Sequence, residues 1–326
     1  MFNVRQMEEK SKFLTKYAAI ISRNTPLKEL TSFNIGGRAD LYMRPRTAEE
    51  LKAVLEFVHT EHIPAVILGG GSNVLIADEG VRGAVIHTAA LKGIDTEVRD
   101  GNPLVRVQTG VSMQELTGFY AAHSLTGLED FAGLPGTVGG AAFMNARCYG
   151  TAISDVLVSA SVLVCTEEGI IERQYCMHAE DWAYKRSPFQ PAAEQYALLS
   201  EGRAIVIALV FKAAHGNRAA IERKMQERII DRTNKGHFKL PSAGSIFKNN
   251  HLFGKPSGQL IDEAGLRGLH IGGAQVAPWH GNLIVNTGTA TAKEVGALIE
   301  TVQQRVKAQT GFLLEPEVVV VRSEIS

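Results

Sequence analysis

Residues 68–78 read Leu-Gly-Gly-Gly-Ser-Asn-Val-Leu-Ile-Ala-Asp and begin at the end of the apolar run 65–68. The apolar run is typical of a buried strand, and three glycines after it let the backbone turn with positive φ and expose bare N–H groups. Ser72 and Asn73 add side-chain donors, so this loop can form a nest for an anion such as a diphosphate. The same glycines are also compatible with a tight turn that binds no ligand.

A second glycine-rich stretch, Gly-Leu-Pro-Gly-Thr-Val-Gly-Gly-Ala-Ala-Phe-Met-Asn at 133–145, favours the ligand-binding interpretation. Four glycines and a proline fall within eight positions, and the small residues after them allow a planar ring to approach the backbone. Two such loops in one chain predict a dinucleotide cofactor. The Rossmann type is not indicated, because no G-x-G-x-x-G follows a predicted strand.

Length and charge limit the choice of protein class. A chain of 326 residues is long for a single core, so two or three domains are expected. The hydrophobic content of 45% is ordinary for a globular protein. Lys plus Arg and Asp plus Glu both number 34, so no bulk charge attracts nucleic acid or a membrane surface. A small-molecule partner is favoured.

The cysteines and the N-terminus indicate a reducing compartment. Cys148, Cys165 and Cys176 are odd in number and form no Cys-x-x-Cys, so neither a disulfide framework nor a zinc knuckle is predicted. The first ten residues carry charges where a signal peptide needs an apolar core, and no apolar run reaches membrane-spanning length. We therefore predict a cytoplasmic protein. The ten histidines form no ligand pattern, so no metal is predicted.

Periodicity and capping patterns predict the main elements. Thr-x-x-Glu or Ser-x-x-Glu patterns begin apolar helical repeats at 47, 112 and 291. An amphipathic helix at 217–233 marks a domain boundary. Two predicted helices cover 48–59 and 217–233, and three more begin near 112, 256 and 291. The predicted strands are 63–68, 84–87, 104–109, 156–164, 204–211 and 313–321. A short helix is expected within a polar N-terminal extension.

Five further motifs accompany the glycine loops. They are Asn-Thr-Pro-Leu-Lys-Glu-Leu-Thr-Ser-Phe-Asn-Ile-Gly-Gly at 24–37, Tyr-Lys-Arg-Ser at 184–187, Ser-Ala-Gly-Ser-Ile-Phe-Lys-Asn at 242–249, Gly-Gln-Leu-Ile-Asp at 258–262 and Leu-Glu-Pro-Glu-Val at 314–318. In this order the set resembles the UDP-N-acetylenolpyruvoylglucosamine reductase (MurB) family over about residues 24–321. Several motifs in one order are far more specific than any one of them.

The resemblance implies an α+β protein. Its fold would be the FAD-binding fold of the vanillyl-alcohol oxidase type, with two α/β lobes, plus a C-terminal α+β substrate-binding domain. The ranges expected are an N-terminal extension at 1–23, FAD-binding lobe 1 at 24–88, FAD-binding lobe 2 at 89–214 and the substrate-binding domain at 215–326.

The activity that the resemblance implies is an NADPH-dependent flavin oxidoreduction. Noncovalent FAD and NADPH would reduce UDP-N-acetylglucosamine enolpyruvate to UDP-N-acetylmuramate in peptidoglycan precursor synthesis. The expected partner is thus a UDP-linked enolpyruvyl amino sugar, with no nucleic acid and no membrane. Two alternatives stay open: an FAD-dependent oxidase of the same fold acting on an alcohol or sugar lactone, and a non-catalytic nucleotide-sugar-binding relative.

The motif positions also imply which residues bind the ligands. Expected FAD-binding residues are Asn34, Gly36, Leu68, Gly69, Gly70, Gly71, Ser72, Asn73, Gly133, Pro135, Gly136, Thr137, Gly139, Gly140 and Asn145. Expected substrate-binding residues are Tyr184, Lys248, Asn249 and Gln259.

Two residues match the family's catalytic acids. Ser245 matches the proton donor, a role that requires a dry site because a serine hydroxyl is a weak acid in water. Taken alone, Ser245 is also compatible with a turn cap after Gly244. Glu317 matches the catalytic carboxylate, at the entrance of an apolar run. Glu315 is a competing candidate, since Pro316 makes side-chain alternation unreliable here.

The cation near the substrate carboxylate is ambiguous. Where the family has Tyr-Arg-x-Ser, Lys185 takes the place of the arginine and Arg186 follows it. Lysine offers a point charge, whereas arginine grips a carboxylate through two parallel N–H groups. In an extended segment only one of the two side chains can enter the site, and the chemistry favours Arg186. Arg147 and Cys148 depart from the family as well, since relatives have smaller residues there.

Overall fold

The computed structural model describes residues 4–191 and 202–323. The ranges expected for the extension, the second lobe and the third domain also include residues 1–3, 192–201 and 324–326, which lie outside this description. Three larger sheets follow one another along the chain, with four, five and four strands.

The first sheet contains the strand that precedes the glycine loop at 68–78. Its strands, in spatial order, are Ile21–Pro26, Arg38–Met43, Val81–His87 and Ala65–Leu68. The last three run parallel, and the first pairs antiparallel with its neighbour. Helix Ala48–Thr60 begins where the Thr47 hydroxyl accepts a hydrogen bond from the Glu50 N–H at 3.1 Å, and its apolar face is fully buried.

The N-terminal helix is longer than expected and packs on this first lobe. It covers Val4–Lys16, and the ring of Phe13 stacks on Phe57 of the next helix with centroids 4.1 Å apart. The first sheet also begins at Ile21, three residues before the range expected for lobe 1. The segment expected as a separate extension therefore contributes both a helix and part of a strand to the first lobe.

The second sheet is antiparallel and follows the first. Its strands, in spatial order, are Gly169–Cys176, Leu157–Thr166, Ala204–Lys212, Asn102–Gln108 and Ile94–Arg99. Helix Met113–Ala122 covers this sheet and begins with the predicted capping box between Ser112 and Glu115. Met113, Leu116 and Tyr120 of that helix are buried in the core of the second lobe.

Helix Arg218–Asn234 leads into the third domain. The sheet of that domain contains, in spatial order, the strands Ser242–Ser245, Leu283–Asn286, Ala274–Val276 and His270–Ile271. Helices Ser257–Glu263 and Ala292–Thr310 pack with this sheet. The shorter elements of the chain are the strands Val74–Ile76, Leu125–Thr126, Arg147–Cys148, Thr151–Ala152, Ala214–His215 and Val319–Val321 and the helices Val138–Phe143 and Ile153–Val156.

The last strand returns to the first lobe. Val319–Val321 pairs in parallel with Val74–Ile76, directly after the first glycine loop. The predicted strand at 313–321 is wrong in its extent, because Pro316 cannot donate to a ladder and only residues 319–321 continue as a strand. Asp78 strengthens the same junction, since its carboxylate accepts from the N–H groups of Ala292 at 2.7 Å and Lys293 at 3.0 Å.

A charge cluster fixes helix Arg218–Asn234 to the second lobe. Asp130 accepts from Arg228 Nε at 2.9 Å and from the Thr151 hydroxyl at 3.0 Å, with Lys224 Nζ at 3.4 Å. Burial alone would raise the pKa of the Asp130 carboxyl, but these donors and charges hold that pKa below its usual value. The cluster therefore fixes the helix whose last turn carries Arg232.

The strand predictions missed Ile21–Pro26 and Arg38–Met43 in the first sheet, the two outer strands of the second sheet and all four strands of the third sheet. Ile94–Arg99 and Gly169–Cys176 were not predicted, and they form the two outer strands of the second sheet. Ile94–Arg99 is exposed along nearly its whole length, so it lacks the alternation that indicates a half-buried strand. No helix in the described part of the chain is both long and apolar enough to span a membrane.

A buried histidine at the end of the first sheet makes stability depend on pH. Tyr42 Oη lies 2.6 Å from His87 Nδ1. Burial, aided by the charge of Arg44, lowers the pKa of His87 from 6.5 to about 4. Because the unfolded chain binds this proton more readily, the stabilisation is present above pH 6.5 and is lost as the pH falls towards about 4. The shift corresponds to about 3 kcal/mol.

We therefore expect His87→Gln to flatten the pH dependence of unfolding. Between pH 7 and 4 the free energy of unfolding should fall by up to ~3 kcal/mol less in this variant than in wild type. Chemical denaturation at several pH values measures this difference. His215 is exposed on a short edge strand, so His215→Gln is the control and should keep the wild-type slope. Equal slopes for His87→Gln and wild type would contradict the prediction.

Candidate active site

A cavity of about 650 Å³ is lined by residues from all three larger sheets and from the loops between them. Its wall is built from both glycine loops, from the segment that joins helix Arg218–Asn234 to the third sheet, and from the C-terminal strand. Predicted site residues on this wall are Leu68, Gly69, Gly70, Gly71, Ser72, Asn73, Pro135, Thr137, Gly139, Gly140, Lys185, Ser245 and Glu317. Residues from five separate stretches of the sequence thus converge on one cavity.

The two glycine loops touch each other. A Cβ atom on Gly70 would lie 2.5 Å from Gly136 Cα and 2.9 Å from the Thr137 nitrogen. The Ser72 hydroxyl donates to the Pro135 carbonyl at 3.3 Å. Gly136 has a φ of +100°, which suits only glycine, and a Cβ atom there would lie 2.4 Å from Ser72 Oγ. Glycine is therefore needed at position 70 because the second loop occupies the space of a side chain.

The cavity wall fits the dinucleotide that the sequence predicts. Of the described residues that line it, five carry a cationic side chain (Arg147, Lys185, Arg203, Arg232 and Lys239) and one, Glu317, carries a carboxylate. Nε of Arg232 is buried and has no hydrogen-bond partner among the described residues. Bare glycine backbone, excess positive charge and an unused donor suit a diphosphate. The apolar lining from Val66, Phe143 and Ile205 suits flat rings.

Gly70→Val tests the contact between the loops. The added side chain must push the loops apart, and overpacking of this kind costs about 1–3 kcal/mol, so we expect FAD affinity to fall by up to ~10²-fold. The flavin content after purification and titration of the apoprotein with FAD measure the effect. Gly118→Val is the matched control, because a Cβ there meets no atom within 4 Å. Full retention of FAD by Gly70→Val would show that the loop assignment is wrong.

Lys185 and Glu317 form a largely enclosed ion pair on the cavity wall. Lys185 Nζ lies 2.5 Å from Glu317 Oε1, and the two side chains are only 14% and 12% exposed. Each therefore fixes the other in a partly desolvated place, where charge interactions are stronger than in water. The pair comes from the second lobe and the C-terminal segment, so it also joins two domains.

The turn at 183–186 decides which cation enters the cavity. Ala183 and Arg186 pair across a two-residue turn, and Lys185 has a φ of +57°, in the left-handed region. Lys185 lines the cavity, whereas Arg186 is exposed and does not line it. The geometry thus disagrees with the expectation that favoured Arg186, which assumed an extended segment.

Ser245 reaches the cavity through an irregular strand. The strand Ser242–Ser245 pairs with Leu283–Asn286 with a register shift, and Gly244 adopts a φ of +72°. Such a bulge changes the direction of the next side chain. Ser245 is half-buried, and within residues 4–191 and 202–323 its hydroxyl has no hydrogen-bond partner. The hydroxyl is therefore free to contact a ligand.

The structure separates Glu315 from Glu317. Glu315 is 69% exposed, forms an ion pair with Lys248 Nζ and does not line the cavity. Of the other expected substrate residues, Tyr184 lines a small side chamber and its hydroxyl accepts from the Asn249 N–H at 3.3 Å. Gln259 is exposed and donates to Glu263 at 3.0 Å. Tyr184, Lys248, Asn249 and Gln259 are thus not among the residues that line the main cavity.

Five expected FAD-binding residues also lie off the main wall. Asn34 and Gly36 follow Phe33, and the backbone carbonyls of Phe33 and Asn34 accept from Asn286 Nδ2 at 3.2 and 3.3 Å. Gly136 faces Ser72 of the first loop, and Gly133 faces Arg232 and Ile229 of helix Arg218–Asn234. Asn145 lines the side chamber, and its Nδ2 donates to the Ala183 carbonyl at 2.9 Å. Asn145 thus supports the turn that presents Lys185.

Several wall residues were not predicted as site residues. Cys148 accepts from Arg232 Nη2 at 3.0 Å, and burial raises the pKa of its thiol despite the nearby charges of Arg232 and Lys185. His237 also lines the wall, and burial together with the charge of neighbouring His280 lowers its pKa to about 4. Phe238 and Lys239 follow it on the wall. This segment, 237–241, contains no glycine motif, so only its place before Ser242 could have indicated it.

The metal-binding side chains of the described ranges are dispersed. No three His, Cys, Asp or Glu residues within them lie close enough together to hold an ion.

Two family models match the chain. One describes an FAD binding domain and matches residues 39–173, which include both glycine loops. The other describes the C-terminal domain of UDP-N-acetylenolpyruvoylglucosamine reductase and matches residues 236–321, which include Ser245 and Glu317. Both ends of the cavity therefore lie within matched regions.

Similar proteins match over most of the chain. UDP-N-acetylenolpyruvoylglucosamine reductase of Treponema pallidum is 46% identical over 92% of this chain and 93% of its own length. The reductase of Treponema denticola is 48% identical over 90% of this chain and 91% of its own length. The crystal structure of the reductase (MurB) from Thermus caldophilus matches with a TM-score of 0.73 and 33% identity, over 92% of this chain and 98% of that one.

Proposed function

The chain belongs to the UDP-N-acetylenolpyruvoylglucosamine reductase family, and from this we propose how its cavity performs that reaction. The enzyme uses FAD and NADPH to reduce the enolpyruvyl ether of UDP-N-acetylglucosamine to UDP-N-acetylmuramate, a step of peptidoglycan synthesis. The observation that supports the assignment of roles is the joint placement of Ser245, Lys185 and Glu317 on a glycine-walled cavity.

The glycine loops and their surroundings hold the cofactor. Gly69–Asn73 and 135–140 offer backbone N–H groups to the diphosphate, and Arg232 adds a guanidinium to the same wall. When bound, FAD accepts a hydride from NADPH and supplies it to C3 of the substrate alkene. All other steps require protein groups around C2 and the carboxylate.

Lys185 stabilises the negative charge that develops on the substrate. When C3 gains a hydride, an electron pair collects on C2 and spreads into the neighbouring carboxylate. The Lys185 ammonium, in a partly buried place, lowers the energy of that charge. Glu317 Oε1 holds the ammonium at 2.5 Å, and Glu317 can share the developing charge as an acid only after its carboxylate has taken up a proton from solvent. Lys185 therefore replaces the arginine of the family motif.

Ser245 donates the proton that completes the reduction. Its hydroxyl lines the cavity and has no competing partner within the described residues, so it can point at C2. Transfer of one hydride to C3 and one proton to C2 converts the alkene into a lactyl ether. The serine then recovers its proton from a neighbouring acid or from solvent. Because serine is a weak acid, the enclosed cavity is needed for this step.

The same reasoning gives the place of the remaining groups. Tyr184, Lys248, Asn249 and Gln259 contact the nucleotide sugar from outside the cavity wall. We divide the chain into the FAD-binding lobes 24–88 and 89–214 and a substrate-binding domain at 215–326. Within the extension at 1–23, helix Val4–Lys16 and the start of the strand Ile21–Pro26 belong to the first lobe. With equal numbers of acidic and basic residues, the protein has no charge that favours nucleic acid. We place it in the cytoplasm, where NADPH and nucleotide sugars are available.

One experiment tests this function. The purified protein should show the absorption spectrum of bound flavin and release FAD on denaturation. NADPH oxidation should be slow alone and should accelerate when the enolpyruvyl nucleotide is added under anaerobic conditions, with UDP-N-acetylmuramate as the product. Oxidation of NADPH that is indifferent to the nucleotide would contradict the reductase assignment, and an absence of flavin would contradict the cofactor assignment.

A further inference from the structure

Asn73 belongs to the first glycine loop, and its side chain bonds to the C-terminal segment of the chain. Asn73 Nδ2 donates to the Glu317 backbone carbonyl at 3.1 Å. The Asn73 backbone carbonyl accepts from the Val319 N–H at 3.0 Å. The side-chain amide and the backbone carbonyl of Asn73 therefore both bond to the C-terminal segment that carries the candidate acid.

The backbone around Glu317 needs such support. Only Val319–Val321 forms a strand, and Pro316 cannot donate a hydrogen bond, so Glu317 lies just outside the regular ladder. On its other side, the Glu317 N–H donates to the Ile246 carbonyl at 2.7 Å, next to Ser245. The peptide units on either side of Glu317 are thus held by the flavin loop and by the serine loop.

Ser72, the preceding residue, makes a different contact. Its hydroxyl donates to the Pro135 carbonyl at 3.3 Å and so joins the two glycine loops. Neighbouring residues of one loop therefore have separate tasks. Ser72 joins the two glycine loops that hold the cofactor, whereas Asn73 bonds to the segment that contains Glu317.

We propose that Asn73 is a positioning residue for the catalytic carboxylate, which ties the geometry of the Glu317–Lys185 pair to the flavin-binding loop. This inference rests on the proposed function. The Lys185 ammonium lies 2.5 Å from Glu317 Oε1, a distance that depends on where the Glu317 backbone is held. When the Asn73 amide is removed, the Glu317 carbonyl loses its donor and the carboxylate shifts relative to the substrate. Ground-state binding of FAD depends on the loop backbone and is preserved.

Asn73→Ala should therefore separate chemistry from cofactor binding. We expect reoxidation of reduced flavin by the enolpyruvyl nucleotide to slow by about 10- to 10²-fold, the scale of an error of about 1 Å in a catalytic group. Flavin reduction by NADPH and the Kd of FAD for the apoprotein should stay within about 2-fold of wild type. Asn73→Leu, which keeps a branched side chain of similar size but offers neither a donor nor a charge, should behave in the same way and serves if the alanine variant does not fold.

A double-mutant cycle tests whether Asn73 influences reoxidation through Glu317. If Asn73 acts through Glu317, adding Asn73→Ala to Glu317→Gln should slow reoxidation by less than about 2-fold more, because the carboxylate that it positions is already absent. Ser72→Ala is the matched control from the same loop. Ser72→Ala should lower the affinity for FAD. Any slowing of reoxidation that it causes should appear undiminished in the Glu317→Gln background.

Hydrogen exchange gives a measurement that does not depend on turnover. A peptide covering residues 311–321 should exchange faster in Asn73→Ala than in wild type or Ser72→Ala. Unchanged exchange together with wild-type reoxidation would overturn the positioning role, as would a loss of FAD affinity equal to the loss of reoxidation rate. If wild-type flavin is not reoxidised by the nucleotide, the reductase assignment fails and this inference fails with it.

Discussion

Ser245→Ala is expected to leave reduction of the flavin by NADPH nearly intact and to slow its reoxidation by the enolpyruvyl nucleotide by ~10⁴-fold or more, the upper end for a general acid. Delivery of hydride to the flavin needs no proton from this serine. Completion of the second half-reaction does, because C2 of the substrate stays unprotonated without a donor. Stopped-flow absorbance of the flavin follows each half-reaction separately.

The enclosed position of Ser245 makes a large effect reasonable. Ser245 lines the cavity and its hydroxyl is unpaired within the described residues, so it is free to act on a bound substrate. Ser245→Cys is a useful comparison, because a thiol of similar size can also donate a proton and should restore part of the reoxidation rate. Equal slowing of both half-reactions by Ser245→Ala would contradict the proton-donor role and indicate a role in binding.

Local sequence signals were sufficient for much of the architecture. The capping boxes at Ser112 and Thr291 correctly marked the starts of two helices, because such a cap is a contact among four consecutive residues. The glycine loop at 68–78 was recognised because glycine is required where two backbones approach closely. Gly70 is such a position, since its backbone lies against the second loop. These features depend on few residues that are near in sequence.

Features that depend on distant partners were not predictable in the same way. The outer strands of the second sheet are held by their neighbours and have no alternation of their own. The turn of the Asn73 side chain towards Glu317 joins residues 244 positions apart. Similarly, the left-handed turn at Lys185 gives no local signal in Tyr-Lys-Arg-Ser, since lysine rarely adopts a positive φ without support from its surroundings. Alternation of side chains was the wrong assumption for that segment.

Lys185→Ala should slow flavin reoxidation by substrate by about 10³-fold, whereas Arg186→Ala should remain near wild type. The truncation removes the ammonium that faces the substrate charge, and loss of one preorganised electrostatic donor costs about 10²–10³ in rate. It also leaves the Glu317 carboxylate, which is only 12% exposed, without its partner. Arg186 is exposed and does not line the cavity, so its neighbouring position makes it the matched control.

The chemistry of the cation is tested by Lys185→Arg. A guanidinium offers two parallel N–H groups to a carboxylate, so this variant should retain much more activity than Lys185→Ala if positive charge at this position is what the reaction needs. Because the charge lies 2.5 Å from Glu317 in wild type, the larger head group must displace that contact, and some loss of rate is expected. Stopped-flow reoxidation of the three variants decides between the two residues. If Arg186→Ala loses activity while Lys185→Ala keeps it, the turn does not present Lys185 to the substrate, and the arginine is the active cation.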